Sequence, residues 1–442
     1  MQRLTVIGGG LAGCEAAWQA ARRGIDVDLY EMRPHKSGPA HHTSRLAELV
    51  CSNSMRGAAL ENAVGLLKEE LFRLDSLILT SAREAAVPAG GALAVDREQF
   101  SQLVESRIED HPRITLHRDE ILAIPLDQPC IVACGPLPSE ALVAAIDAVV
   151  GTQRLHYFDA AAPIVAAESI DETPMYRKSR YEKGDGDDYL NIPLDREQYA
   201  QLLHDLRTLE RHIPKDFELS ETRYFEGCLP IEEMADRGDD VLRYGPLKPV
   251  GLRHPVTGVT PYAVVQLRKE TASGSAFNLV GFQTRLSWPS QKLAFGRLPG
   301  LENAEWLRLG VMHRNTFLDS PRVLDEQLRL RGHEQLWFAG QITGAEGYVE
   351  AAACGLMTGI HAARALRGEP PVLIPRDCAL GAVLAHLQNT QTDDFQPANV
   401  TFAYFTPLEQ TIREKKLRRA ALAQRALAAV DLLVEGMSTK VS

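Results

Sequence analysis

Three features that would point to particular classes of protein are missing from this sequence of 442 residues. No apolar run reaches the roughly 18 residues of a membrane-spanning helix, so no span is expected. The seven cysteines show no spacing typical of a metal site, and we expect no metal. Positive charge is not in excess, because the formal net charge is −10, which argues against nonspecific nucleic-acid binding. An RNA partner would therefore need a local basic patch.

The composition is that of a globular protein with a full core. Hydrophobic residues make up 45% of the chain and charged residues 24%, and the length suits two or three domains. The first predicted strand begins at residue 3, so we expect no signal or transit peptide. An odd number of thiols without metal spacing is typical of a cytoplasmic protein. A monomer is consistent with these features.

A glycine-rich stretch between a strand and a helix organises the N-terminal region. Residues 3–7 form an apolar run, and an Ala-rich helical segment extends from Cys14 to Gly24. The glycines between them have the G-x-G-x-x-G spacing, in which they permit a tight turn, close approach of a pyrophosphate, and packing of helix on strand. The helix N-terminus presents free N–H groups to phosphates. We assign to dinucleotide binding the residues Gly8, Gly9, Gly10, Leu11, Ala12 and Gly13.

A second strand, 25–31, ends in Glu31, about twenty residues on, where the motif places a carboxylate that holds a ribose hydroxyl. Arg33 follows closely and is a candidate for contact with phosphate or adenine. Most of 32–57 is predicted as loop, because it is rich in Pro, Gly, His, Ser and Asn. Cys51 lies in this loop where an apolar turn meets polar residues, so its thiol is either exposed and reactive or packed.

The texture of the chain changes near Leu155, where alternating strands and helices give way to predicted antiparallel strands at 245–252, 262–270 and 277–288. We interpret this region as an insertion. The predicted domains are 1–154, the first part of the nucleotide-binding domain, 155–330, the insertion, and 331–442, its second part.

A second strand, turn and helix begins near Gln335, with a buried strand at 335–340 and a long small-residue helix ending near 366. The alternative is an ordinary βα unit. Two glycine turns separated by an insertion favour FAD over NAD, because FAD is long enough to use both. The predicted fold is α/β, a Rossmann-like FAD-binding domain of the glutathione-reductase type with a large α+β insertion domain. Candidate contacts in the second turn are Gly340, Gln341, Glu346, Gly347, Tyr348 and Val349.

The last predicted helix, 408–435, is amphipathic and begins with concentrated positive charge. We call Arg413, Lys415, Lys416, Arg418 and Arg419 the basic cluster. It is either a solvated helix face or a contact for RNA or another anion.

Several longer strings resemble the bacterial folate- and FAD-dependent tRNA uracil-5 methyltransferases. They are ELVCSNS, PAGGALAVDR, VGFQTRLSWPSQK, PGLENAE, GVMHRNTF and AGQITGAEGYVEAAACG, in that order along the whole chain. The sister family that modifies the wobble uridine shares part of the last string but carries a long extra C-terminal region, which we do not expect here.

The resemblance implies that a methylene group from 5,10-methylenetetrahydrofolate is transferred to C5 of uridine 54 in the T-loop of tRNA. FADH2, regenerated by NADPH or NADH, would reduce it to a methyl group, giving 5-methyluridine without S-adenosylmethionine. C5 of uracil is a poor nucleophile, and a thiolate that adds to C6 activates it. The resemblance implies that Cys228 is this nucleophile and that Cys51 is a base or protects the flavin adduct. The residues alone leave open which cysteine has which role.

Folate requires a flat slot beside the flavin and a cation for its glutamate tail. The candidates lie in the matching strings and are Arg285, Lys292, His313, Arg314 and Asn315. Three other functions remain open: the same chemistry on ribosomal RNA, an FAD- and NAD(P)H-dependent thiol oxidoreductase, and an FAD-bearing RNA-binding protein without turnover.

Overall fold

The computed structural model describes residues 3–151, 154–160, 162–184, 186–212, 229–271, 273–310, 312–390 and 395–438. Its strands in chain order are β1 (Leu4–Ile7), β2 (Val27–Tyr30), β3 (Ser54–Gly57), β4 (Ala86–Val87), β5 (Ala92–Val95), β6 (Ile114–His117), β7 (Cys130–Val132), β8 (Arg154–Ala160), β9 (Ile164–Ala166), β10 (Tyr176–Arg177), β11 (Tyr189–Leu194), β12 (Ala263–Lys269), β13 (Ala276–Leu279), β14 (Trp306–Arg308), β15 (Met312–Leu318) and β16 (Leu336–Phe338).

Its helices are α1 (Leu11–Arg22), α2 (Ala63–Arg73), α3 (Leu77–Glu84), α4 (Arg97–Glu109), α5 (Glu140–Val150), α6 (Arg196–Thr208), α7 (Ile231–Asp236), α8 (Val241–Tyr244), α9 (Trp288–Phe295), α10 (Ser320–Val323), α11 (Tyr348–Leu366), α12 (Ala379–Leu387) and α13 (Lys415–Ser438).

The nucleotide-binding domain is built on a parallel sheet with the strand order β16-β7-β1-β2-β6. Strands β1, β7 and β16 are buried along their whole length, as expected for apolar strands covered on both faces. Because β16 comes from the C-terminal part of the chain and pairs with β7, the two ends of the sequence share one sheet. A smaller sheet, β3-β5-β4, lies in the loop-rich region after β2.

The insertion has its own sheet and its own core. Six strands pair antiparallel in the order β10-β11-β12-β13-β9-β14. A separate hydrophobic cluster covers this sheet with side chains of α6, α7 and α9. The antiparallel ribbon of β8 and β15 carries the chain out of the nucleotide-binding domain and back.

Most of the predicted elements are confirmed, but the predicted strand at 245–252 is wrong. That segment follows α8 as a series of turns, because its two prolines and two glycines interrupt a strand. The strand predicted at 277–288 ends at Leu279, and its last residue, Trp288, begins α9. Helix α13 begins at Lys415, seven residues after the predicted start at Leu408. No pattern in the sequence predicted the helices α3, α5, α7, α8, α9, α10 and α12. The proposed domain boundaries stay predictions.

Two absences within the described ranges concern membranes and metals. Nowhere in these ranges is a helix both long and apolar enough to cross a membrane. The same ranges contain no group of three or more His, Cys, Asp or Glu side chains placed to hold a metal ion.

Candidate functional site

The first glycine turn joins β1 to α1 and leaves one position open. Gly8 has a φ of 108°, and a Cβ there would lie 2.5 Å from the carbonyl oxygen of Ala133. A Cβ at Gly13 would lie 1.8 Å from the carbonyl oxygen of Gly8, so helix and strand are in direct contact. A Cβ at Gly10 would meet no atom within 4 Å. Gly10 therefore faces free space at the N-terminus of α1, where this motif binds a pyrophosphate.

The two glycine turns meet because α1 and α11 cross at small residues. A Cβ at Gly355 would lie 2.2 Å from the carbonyl oxygen of Ala12, and one at Gly359 would lie 2.5 Å from that of Ala16. The turns form the walls of one cleft that is open to solvent and encloses about 1060 Å³ of space. Its lining includes Gly8, Gly10, Leu11, Ala12, Glu31, Gly340, Gln341 and Tyr348.

Glu31 lies in this cleft, and its carboxylate is already engaged by the protein. It accepts hydrogen bonds from the Gly9 amide at 3.0 Å and the Arg33 amide at 3.0 Å, and from the Arg33 guanidinium at 2.8 and 3.0 Å. Burial raises the pKa of Glu31, but the hydrogen bonds and charge of Arg33 outweigh it and hold that pKa below its ordinary value. Arg33 also pairs with Glu48 at 3.1 Å. Arg33 therefore orients the acid, and its contact with a cofactor stays a prediction.

The second turn is held by glycines and by a C-terminal segment. Gly340 and Gly347 have φ values of 84° and 107°, which favour glycine. The side-chain amide of Gln341 donates to the Glu346 carboxylate at 2.9 Å. Asn399 donates to the carbonyl oxygen of Glu346 at 2.7 Å, so the chain after α12 supports the turn. Glu346 is consequently a structural part of the turn, with its side chain buried.

Tyr348 joins the second turn to Cys51. Its hydroxyl accepts hydrogen bonds from the amides of Cys51 at 2.8 Å and Ser52 at 3.0 Å. Burial raises the pKa of Tyr348, so this hydroxyl stays protonated. The neighbouring Val349 is buried and anchors the first turn of α11. Tyr348 and Val50 both line the cleft, and the half-buried Cys51 follows Val50 directly without being one of the lining residues itself.

A buried network that the sequence analysis missed connects the strand after Cys51 to α11. The Arg56 guanidinium pairs with both carboxylate oxygens of Glu350, and the Val400 amide donates to Glu350 at 2.9 Å. Lys68 donates to the carbonyl oxygen of Gly57 at 2.5 Å. Burial, and then the charge of Arg56, lower the pKa of Lys68 to about 7. No motif marks these residues, because their partners are distant in sequence.

The cleft also includes residues at the ends of β6 and β7 that carry no sequence motif. Cys134, Pro136 and Ser139 follow β7, and Glu120 follows β6. The carboxyl ends of parallel strands form the ligand edge of an open α/β sheet, and this rule would have pointed to them. His41 also lines the cleft, and its Nδ1 is buried without a hydrogen-bond partner among the described residues.

Cys228, the predicted nucleophile, lies outside the described residues. The described chain resumes at Leu229, and the amide of Ile231 donates to the carbonyl oxygen of Gln283 at 2.7 Å. Residues directly after Cys228 are therefore attached to the VGFQTRLSWPSQK string of the insertion. The position of the thiol itself stays a prediction.

The folate candidates lie on different elements of the insertion and the ribbon. Arg285 pairs with Glu233, which balances its charge. Lys292 is exposed on α9, whereas Asn315 is buried in β15. The backbones of His313 and Arg314 lie in β15, and their side chains are outside the described part of the structure. Their roles stay predictions.

The basic cluster lies at and just before the N-terminus of α13. Its residues are exposed except Arg419, which is half-buried with its guanidinium 5.7 Å from the Phe402 ring. A helix dipole favours anions rather than cations at this end, so the position of these cations is not explained by helix stability. The exposed positive charge is available to an anionic partner.

A parallel sheet, a glycine turn after its first strand, a second turn after its last strand and one cleft across both define a dinucleotide-binding protein of the Rossmann type. More specifically, the chain belongs to the glucose inhibited division protein A family, whose family model matches residues 3–370. The predicted fold class is thereby confirmed.

The chain is similar over nearly its full length to curated bacterial proteins. It is 55% identical over 428 residues to the methylenetetrahydrofolate–tRNA-(uracil-5-)-methyltransferase TrmFO of Geobacter sulfurreducens, covering 97% of this chain and 98% of the relative. It is 54% identical over 428 residues to the protein of the same name from Heliobacterium modesticaldum, covering 97% of each.

The fold is similar to that of a solved structure, GidA of Aquifex aeolicus. In one crystal form the TM-score is 0.71 at 16% identity, and the match covers 98% of this chain and 76% of that one. A second crystal form gives a TM-score of 0.70. At this identity the likeness supports the fold alone.

Proposed function

We propose that this chain is a folate- and FAD-dependent tRNA uracil-5 methyltransferase. It transfers the methylene group of 5,10-methylenetetrahydrofolate to C5 of uridine 54 in the T-loop, with NADPH or NADH as reductant. The observation that carries the proposal is the identity of 55% over 97% of the chain to a relative with this name. The proposal is supported by Cys51, whose amide is bound to Tyr348, a residue that lines the dinucleotide cleft.

The cleft fits FAD by its own geometry. Gly10 leaves room at the N-terminus of α1 for the pyrophosphate, and Glu31 lies at the cleft where a ribose would bind. Gln341 and Tyr348, on the second turn, line the part of the cleft that the isoalloxazine ring would reach. Bound FAD supplies redox chemistry at that ring, which converts a methylene into a methyl group.

The cysteines supply the chemistry at uracil. We assign Cys228 to the addition at C6, because only a thiolate nucleophile turns C5 into an enolate-like centre. Cys51 is assigned to removal of the C5 proton. The target uridine must leave its stack to reach both thiols, at a cost of a few kcal/mol. A thiol oxidoreductase normally has a close pair of cysteines beside the flavin, and no such pair lies beside either glycine turn in the sequence.

A reconstituted reaction tests the proposal. The purified protein is incubated with unmodified tRNA, 5,10-methylenetetrahydrofolate and NADPH, and 5-methyluridine is located by nuclease digestion and mass spectrometry. We expect methylation at position 54 with wild-type protein, and none with Cys228→Ala. Cys378→Ser is the control, because Cys378 is the N-cap of α12 and serine suits that position.

The covalent state of the RNA separates the two cysteine roles. We expect Cys51→Ala to impair methylation while leaving RNA attached through Cys228 in a denaturation-resistant adduct. Robust methylation by Cys228→Ala would overturn the nucleophile assignment, and an adduct kept in Cys228→Ala but lost in Cys51→Ala would reverse the roles. Methylation of a ribosomal RNA fragment in place of tRNA would transfer the same chemistry to the other substrate.

A further inference from the structure

The loop that carries Cys51 is held by side chains from four different elements. Arg97, the first residue of α4, donates to the carbonyl oxygen of Leu49 at 2.7 Å. Arg308, the last residue of β14, donates to the carbonyl oxygen of Val50. The amide of Cys51 itself donates to the hydroxyl of Tyr348, in α11, at 2.8 Å. The backbone is therefore bound immediately before and at the cysteine.

The next residues of the loop are bound by a third arginine. Arg268 of β12 donates to the Ser52 hydroxyl at 2.8 Å and to the Asn53 side-chain oxygen at 3.0 Å. Asn53 in turn donates to the carbonyl oxygen of Lys269 at 2.8 Å. Two of the three arginines, Arg268 and Arg308, come from the insertion, so the Cys51 loop is hydrogen-bonded to the insertion as well as to the nucleotide-binding domain.

The charges around this loop are not balanced by carboxylates. Glu270 is the carboxylate that attracts all three guanidinium groups, and its Oε2 lies 2.7 Å from Nε of Arg97. Nε of Arg308 is buried without a hydrogen-bond partner among the described residues. Arg308 donates to the carbonyl oxygen of Val50, the residue directly before Cys51, and a negative charge on the Cys51 sulfur would favour its guanidinium. Three cations against one carboxylate leave room for a further negative charge.

The other titratable groups near the loop do not supply that charge. Tyr348 is neutral, because burial raises its pKa. The same holds for Tyr189, which contacts Arg268 and whose pKa burial raises. The pKa of the exposed His42 is lowered by partial burial and by the charges of Arg308 and Arg97, which favours its neutral form. His42 therefore adds no negative charge. Glu48, a carboxylate on the same loop, is paired with Arg33 at 3.1 Å. The sulfur of Cys51 is the other group close to the three arginines on this loop that can become negative.

We propose that Arg308 is a positioning residue for Cys51 and that, with Arg97 behind it, it maintains the sulfur as a thiolate. This assignment rests on the proposed function, in which Cys51 accepts a proton from C5 of uracil. A thiol lacks the basicity for that step, whereas a thiolate beside a fixed cation is ready to accept the proton. The hydrogen bond from Arg308 to the carbonyl oxygen of Val50 would fix the position of the base.

The test measures the thiol directly and needs neither folate nor RNA. The FAD-loaded protein is alkylated with iodoacetamide over a pH series, and labelling of Cys51 is quantified by peptide mass spectrometry. A nearby opposite charge lowers a pKa by about 1–3 units, so we expect Arg308→Gln to slow alkylation at neutral pH by roughly tenfold and to move the profile to higher pH. Arg308→Lys keeps the charge and should restore most of the rate.

Two controls make the result decisive. Arg297→Gln removes an arginine that pairs with Asp205 in the insertion, and its profile should match that of wild type. Should Arg308→Gln fail to fold, Glu270→Gln replaces it, and that variant should shift the profile to lower pH because it removes the opposing carboxylate. A profile unchanged in pH, or rates lowered equally at every pH, would overturn the proposal. Methylation is assayed separately. A wild-type protein that does not methylate tRNA, but whose Cys51 is alkylated already at low pH, would therefore refute the proposed function and leave the role of Arg308 intact.

Discussion

Replacing Gly10 by valine tests the dinucleotide cleft without disturbing the fold. Gly10 has φ −79° and ψ −170°, an extended conformation that valine adopts readily. A side chain there meets no protein atom within 4 Å, so the folded protein without cofactor should accept it. The same side chain would fill the space at the N-terminus of α1 that the pyrophosphate needs.

The substitution should weaken FAD binding more than it destabilises the apoprotein. Gly10 is the N-cap of α1, and valine is a poorer cap than glycine, so the apoprotein should lose ~1 kcal/mol of stability. Keeping the pyrophosphate away from the amides of α1 costs one or more charge-assisted hydrogen bonds of ~1.5–3 kcal/mol each. Affinity for FAD should therefore fall by roughly 10- to 100-fold.

Flavin absorbance relative to protein absorbance, measured on freshly purified protein, gives the occupancy. Melting temperatures are compared between apoproteins, since bound flavin itself stabilises the wild type. Gly436→Val is the control, because Gly436 is also open within 4 Å but lies on α13, away from the cleft. Gly13→Ala should instead destabilise the apoprotein, because its Cβ would lie 1.8 Å from a carbonyl oxygen. Full flavin occupancy in Gly10→Val would refute the assigned site.

Two further perturbations address the RNA partner and the core. Neutralising the lysines and arginines of the basic cluster within α13 should weaken tRNA binding and flatten its dependence on salt, because fewer counterions are released. Flavin content should stay the same. An unaltered salt slope in a filter-binding series would place the RNA elsewhere. Burial lowers the pKa of His361 from 6.5 to about 4. Between these pH values the unfolded chain binds a proton at this histidine and the folded chain does not. The free energy of unfolding should therefore fall by up to ~3 kcal/mol as the pH drops from 6.5 towards 4. His361→Leu should reduce that fall in denaturant titrations, and parallel pH dependences for the two proteins would contradict the assignment.

The glycine fingerprint shows how much of the fold was predictable. Strand, turn and helix are set by neighbours along the chain, so the positions of β1, α1 and β2 follow from residues 3–31 alone. The cap of α4 is local in the same way, because the side chain of Asp96 accepts hydrogen bonds from the amides of Glu98 and Gln99. The predicted strand at 245–252 is wrong, because the prolines and glycines in this apolar stretch favour turns.

The sequence by itself determined the class of site: the spacing of Gly8, Gly10 and Gly13 and the second turn at Gly340 are local patterns that only a few backbone conformations satisfy. Tertiary structure alone decided which distant groups surround Cys51. Its amide meets the hydroxyl of Tyr348 across 297 positions of sequence, and arginines from β12, β14 and α4 converge on its loop. The reason is physical, because such contacts depend on how α1 packs on α11 and how the insertion docks, and neither leaves a period or a spacing in the chain.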